Sequence, residues 1–219
     1  MEIFQNEIAV FYSQRRASSW HDRVALNAMD QKKFNDIKRA YGDVASWALW
    51  SDTNDGDTSD VSILDPDING GLFQQLHTNY VLVALNISGQ IKTPFGNFHG
   101  GKRDFMLRDA VKDTPLEGAY MTDLIKNYEE KNSSSVVNYF EKNISQLQLQ
   151  IAAFHKELAN VGANSSTVLI GLGGGVCRLL EMAQEKYCLK RLTHYSYRNL
   201  RKDEYRQEVN KLLLSLEDD

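Results

Sequence analysis

The residues best placed to act on a ligand are Asn86 and His194, about a hundred positions apart. Asn86 closes the apolar, β-branched run Val81-Leu82-Val83-Ala84-Leu85 and is followed by Ile87-Ser88-Gly89. That pattern predicts a buried strand whose C-terminal end carries the carboxamide to the edge where open α/β sheets hold their ligands. His194 sits in Thr193-His194-Tyr195-Ser196-Tyr197-Arg198-Asn199, a polar, aromatic and basic loop ahead of a charged helical segment. An imidazole there can supply a donor to the same crevice. Each residue also has an ordinary structural use: Asn86 can cap the turn after its strand, and His194 can be a plain surface residue.

The elements that must position these side chains alternate in type. Four apolar runs, Tyr80 to Leu85, Ala119 to Asp123, Val168 to Gly171 and Leu189 to Thr193, are separated by helical segments. This predicts a three-layer α/β/α fold with a short, mainly parallel central sheet. Helices are predicted from Arg103 to Val111, stopping before Thr114-Pro115, and from Val136 to Asn160, entered at Ser133 to Ser135. Two more are predicted from Val176 to Lys186 and from Lys202 to Leu216. Upstream, apolar residues at helical spacing from Ser19 to about Trp50 predict a long amphipathic segment divided at Gly42, and Leu72 to Asn79 reads as a short helix or edge element. Residues 1–70 are thus a mainly helical lead-in with an acidic loop, and 80–216 an α/β core.

A chain of 219 residues, 42% hydrophobic and 25% charged, suits one soluble domain, 1–219, with a single core. No run approaches the roughly 18 to 20 apolar residues of a membrane span, and Met1-Glu2-Ile3-Phe4 lacks a basic start with an apolar core. A cytoplasmic protein without a membrane partner is expected. Cys177 and Cys188 are too few for a disulfide framework and are expected to be reduced and structural.

Asp52-Thr53-Asn54-Asp55-Gly56-Asp57 superficially resembles a calcium loop, but its glycine falls one place early and no closing glutamate follows, so an exposed loop is expected. The glycines of Gly171-Leu172-Gly173-Gly174-Gly175 can cradle phosphate or simply bring a strand into a helix at close quarters. No acidic residue stands where a dinucleotide fingerprint needs one, and neither metal nor cofactor is expected. The formal charge of −4 argues mildly against a nucleic-acid partner. Its distribution argues the other way: Lys186, Lys190, Arg191, Arg198, Arg201, Lys202 and Arg206 face only Asp203 and Glu204 in the segment that contains His194. Such a run is either a solvated helix face or a phosphate-binding patch.

Together the two stretches resemble the signature motifs of the uracil-DNA glycosylase superfamily, most closely its single-strand-selective monofunctional branch. The first motif there reads Gly-Met-Asn-Pro-Gly with a loop ending in Pro-Phe-Gly, and the second His-Pro-Ser-Pro-x-Asn. Asn86, Pro94, Phe95, Gly96, His194, Ser196 and Asn199 stand at matching places. Leu85, Ile87 and Ser88 replace the Gly, Pro and Gly around the asparagine, and Tyr195 and Tyr197 replace the two prolines. The pattern covers nearly all of Tyr80 to Leu214; the first seventy or so residues match only as a helical lead-in.

The resemblance implies hydrolysis of the bond between a flipped base and its deoxyribose, in single- or double-stranded DNA, without metal or cofactor. The sugar gains oxocarbenium character and the base negative charge, so such a site needs a held water on one side and a donor at the base. It implies that Asn86 positions the water, His194 donates to the departing base and Phe95 stacks on it. Ser88, Gly96 and Asp123 would line the base pocket. Ser196, Tyr197, Arg198, Asn199, Arg201 and Lys202 would meet DNA, with Arg198 or Arg201 at phosphate and Tyr197 as a wedge. Phe95 can equally be a core aromatic. The alternative is a catalytically inactive protein of the same fold that binds a nucleobase, nucleotide or protein partner.

Asp123 departs from the asparagine that reads uracil in the uracil-specific branches. An ionised carboxylate only accepts hydrogen bonds, so it meets uracil O4 with repulsion and suits neighbouring donors, such as N1–H and N2–H of a guanine-like base or an exocyclic amine. That holds if Asp123 faces the pocket; capping a turn or pairing with Lys126 is the other expectation.

Overall fold

A computed structural model describes residues 29–52, 56–87 and 89–216 of the chain. Helix α1, Gln31–Tyr41, starts where Asp30 accepts the Lys33 N–H at 2.7 Å, and it buries Phe34 and Ile37. It ends at Gly42, whose N–H closes on the Lys38 carbonyl, so the predicted division falls there. The helical spacing does not extend to Trp50. Ala45–Trp47 is instead a strand, β1, wholly buried and paired with another strand, because sheet pairing outweighs a local periodicity that either element can satisfy. The part of the amphipathic segment before Met29 lies outside the described residues.

The remaining strands are β2, His77–Asn86, β3, Ala119–Ile125, β4, Val168–Leu172, and β5, Cys188–Leu192. They form one mixed, mostly parallel sheet in the order β1-β3-β2-β4-β5, with β1 antiparallel to β3 and the other pairs parallel. A one-turn helix, α2, Leu72–Gln75, precedes β2, so the predicted short element resolves into a helical turn followed by the first residues of the strand. Alternation along β2 is strict: Val81, Val83 and Leu85 enter one core, Leu82 and Ala84 the other, as a pleat of period two requires.

Helices cover both faces of the sheet. On the first face, α1 packs with α4, Ser133–Lys142, α5, Ile144–Val161, and α6, Gly174–Met182, through Phe34, Val136, Phe140, Phe154 and Leu180. On the second lie α3, Asp104–Val111, and α7, Lys202–Ser215, through Leu107, Ala110, Tyr205 and Val209. The single helix predicted over Val136 to Asn160 is two. Asn132 caps α4 by accepting from Ser134 and Ser135, and Asn143, at φ −125° and ψ 63°, breaks the helix while its amide donates to Tyr139. Among the described residues no helix is long and apolar enough to cross a membrane.

The chain leaves β2 for α3 on the second face and leaves its neighbour β4 for α6 on the first. Divergent exits open a crevice beyond the C-terminal ends of the strands. Asn86 stands at that end of β2, and the loop carrying His194 follows β5.

Candidate functional site

A cavity of about 370 Å³ opens at this edge, within the range of roughly 300–1,000 Å³ usual for small-molecule sites. Of the residues singled out from sequence, Asn86, Asp123, His194 and Ser196 line it, together with Asn97, Phe98, Lys102, Arg103, Asp104 and Tyr195. The parallel register sets Ala84 beside Asp123, and both belong to the second face; the small alanine leaves space above the carboxylate. Grooves along α1 at Asp30, Lys32 and Asp36 contain none of the predicted site residues.

The orientation of Asn86 is fixed by main-chain acceptors. Its Nδ2 donates to the carbonyls of Tyr128 at 3.0 Å and Glu130 at 2.8 Å, with a longer contact to Ile87. A carbonyl can only accept, so the amide nitrogen must lie there and Oδ1 is the atom left for a ligand or water. The capping use of Asn86 and its presentation at the sheet edge therefore coexist: the amide nitrogen ties down the loop after β3 while the oxygen remains.

His194 is fixed in the opposite sense. The Ser196 N–H donates to its Nδ1 at 3.2 Å, and the Ser196 hydroxyl lies 2.8 Å from the same atom. A backbone N–H cannot accept, so Nδ1 carries no proton and the neutral ring holds its hydrogen on Nε2. Burial depresses the pKa of His194, which favours the same neutral form. Tyr195 stacks on the ring at 4.6 Å, and Asp104, hydrogen-bonded to the Tyr195 side chain, also accepts the Gly101 N–H at 2.7 Å. Beneath the loop, Gly173 has φ +102°, and a side chain there would meet the His194 Cβ at 3.3 Å. The strand-to-helix glycine turn thus has an observed use as a close seat for His194.

Asp123 is fully buried in β3 apart from its cavity edge, and burial pushes its carboxyl up to about 6, against opposing effects of Asn97 and Lys126. Its Oδ2 accepts from Asn97 Nδ2 at 2.8 Å. It does not pair with Lys126: the ammonium group bonds the Asp123 carbonyl at 2.5 Å and pairs with Glu157 at 2.7 Å, on the opposite face of β3. Glu157 also accepts from Thr122 and Tyr120, so the charge buried under the site is fully engaged.

The expectation that Phe95 stacks on a ligand is corrected. Phe95 is 1% exposed, packs on Phe34 at 5.4 Å and does not line the cavity, because its loop turns with φ +62° and drives the ring into the first core. Gly96 closes that turn on Thr93 and also lies away from the cavity. Three residues after Phe95, Phe98 supplies an aromatic wall, itself at φ +65°, with its N–H on Asn97 Oδ1 and its carbonyl accepting from Trp50 Nε1. Backbone held in this sparsely populated region is characteristic of sites that the surrounding structure over-determines. The signal for Phe98 in the sequence was a second aromatic in the same loop. Nothing local marked Asn97 or Asp104. Ser88 lies outside the described residues.

Tyr197, Arg198 and Asn199 are exposed in the loop that follows His194, with Tyr197 56% exposed. Arg103 latches this loop by donating to the Arg198 and Leu200 carbonyls. Arg201 pairs with Asp203 and Glu204, and Lys202 with Asp109, so these two cations are partly neutralised within α7 and its surroundings. Cys177 is buried and Cys188 exposed, both as free thiols. Among the described residues no group of three or more His, Cys, Asp or Glu is placed to hold a metal ion. Compared with known protein-family models and with curated protein sequences, the chain matches none.

Proposed function

We propose that this protein hydrolyses the N-glycosidic bond of a base flipped out of DNA, in the manner of the uracil-DNA glycosylase superfamily that its motifs resemble. The observation that carries the reading is the convergence of Asn86 and His194 on one cavity with opposite, backbone-fixed polarity. Asn86 offers an oxygen that can hold a water; His194 offers a neutral N–H donor. Phe98 provides a ring on which a base can stack.

In the reaction the base enters the cavity and its sugar–base bond stretches. The bonding electrons move onto the base, which the Nε2–H of His194 stabilises by hydrogen bonding, while the sugar becomes oxocarbenium-like. Water held at Asn86 Oδ1 forms the new bond to the sugar carbon and releases a proton to solvent, and the departed base anion takes up a proton from solvent. The products are free base and an abasic deoxyribose. A neutral imidazole suits this step because a donor is needed where charge develops, and a cationic ring would require reprotonation in a buried setting.

The test is single-turnover release of base from single-stranded and duplex oligonucleotides that contain uracil, hypoxanthine, xanthine, 8-oxoguanine or alkylated bases. His194→Ala and Asn86→Ala are each expected to slow release roughly a hundredfold or more while DNA binding changes much less. Equal rates in both variants and the wild type would remove these residues from the chemistry. Base bound but never released would favour the inactive, base-binding reading.

A further inference from the structure

Asn97 orients the carboxylate that faces the cavity, and its own orientation is forced. The Phe98 N–H donates to Oδ1 at 3.1 Å, and Nδ2 donates to the Val44 carbonyl at 3.0 Å and to Asp123 Oδ2 at 2.8 Å. An N–H must donate and a carbonyl must accept, so the amide cannot be turned over. Asn97 therefore holds one oxygen of Asp123 and has no hydrogen left for a ligand. Asp123 Oδ1 has no hydrogen-bond partner among the described residues.

We infer that Asn97 and Asp123 together form an acceptor-only reading edge, and that the base taken here presents two adjacent N–H donors, as the 2-amino-6-oxopurine class does, in preference to uracil. The inference rests on the cavity being a base site, as proposed above, and not on hydrolysis. N1–H and the 2-amino group of such a base can reach Oδ1 and the remaining lone pair of Oδ2 side by side. Uracil offers one N–H between two carbonyl oxygens, so a carboxylate that accepts from it also confronts an oxygen. Asp104, a second carboxylate on the cavity wall beside Lys102 and Arg103, has its own oxygens engaged by Gly101 and Tyr195. Burial pushes the Asp123 carboxyl up to about 6, which still leaves the acceptor form prevailing above neutral pH.

The lock at Asn97 makes a sharp prediction for Asp123→Asn. Asn97 Nδ2 still needs an acceptor, so the new amide must turn its oxygen to Asn97 and its NH2 to the cavity. The reading atom then changes from acceptor to donor. Binding of 9-methylguanine and 1-methyluracil, measured by NMR titration at pH 7.5, tests this directly. Wild-type protein is expected to hold 9-methylguanine at least roughly tenfold more tightly, and Asp123→Asn to reverse the order, as single hydrogen-bond mismatches of this kind dictate. Adding Asn97→Ala to Asp123→Asn frees the amide and is expected to erase the reversal. No measurable binding of either base, a wild-type preference for 1-methyluracil, or an unchanged order in Asp123→Asn would overturn the inference. The predicted binding order without turnover on oligonucleotides removes hydrolysis and keeps the inference; turnover on uracil alone removes the inference and keeps hydrolysis.

Discussion

At the scale of single residues, the polarity of the cavity is written by the main chain. Carbonyls of Tyr128 and Glu130 fix Asn86, the Ser196 N–H fixes His194, and Phe98 and Val44 fix Asn97. Side chains held this way need no reorganisation when a ligand arrives. Asp123 carries the energetic cost of the arrangement. Burial raises its pKa from an ordinary 3.8 to about 6, opposed by the Asn97 hydrogen bond and Lys126 and reinforced by Glu157, so the folded state binds its proton more tightly than the unfolded chain does. Stability from this group is greatest below the unfolded value and declines as pH rises through the interval to about 6, by roughly 3 kcal/mol at most. Asp123→Asn is therefore expected to melt higher than wild type at pH 8, with the gap closing toward pH 4. Thermal unfolding across that range checks it; a gap that is constant or widens at low pH would show that the carboxylate is not held under strain.

At the scale of elements, the strand ends and their glycines determine what reaches the cavity. The apolar runs announced β2, β3 and β4 because a buried strand has few other sequence solutions, and β5, of which only Leu192 is buried, was announced by the alternation of strands and helices; together they placed Asn86 and the start of the His194 loop correctly. The same patterns could not distinguish Phe95 from Phe98, since which ring turns inward depends on the positive φ at both positions and on the packing of Phe34 from a distant helix. Nor could they reveal Asn97, whose role arises from contacts to Val44 and Asp123 far along the chain. β1 was hidden for a similar reason: three residues carry too little periodicity to outweigh the helix before them. Gly173 offers a test of element geometry. With φ +102° and the His194 Cβ only 3.3 Å from where its own Cβ would lie, Gly173→Ala is expected to lower stability by about 1–3 kcal/mol and to slow base release by displacing His194. Denaturant unfolding and the release assay read the two effects; an unchanged variant would mean that the turn does not constrain the histidine.

At the scale of the whole molecule, the formal charge is −4, so the DNA binding proposed above would have to come from local placement of cations. Pairing of Arg201 with Asp203 and Glu204 at the start of α7, and of Lys202 with Asp109 of α3, weakens the claim of these two cations, whereas Lys102 at the cavity wall and exposed Arg198 have no ion pair among the described residues. Lys102→Ala and Arg198→Ala are each expected to reduce the steepness of the salt dependence of DNA binding by about one phosphate contact. Slopes identical to wild type would place the DNA elsewhere. The decisive measurement is single-turnover base release from the oligonucleotide panel by wild-type protein, His194→Ala and Asn86→Ala, all verified as folded. Release by the wild type, strongest on a lesion that keeps the guanine pairing edge and slowed roughly a hundredfold or more in both variants, is the predicted result. Failure to release any base, or release that survives both substitutions, would contradict a hydrolytic role for this cavity.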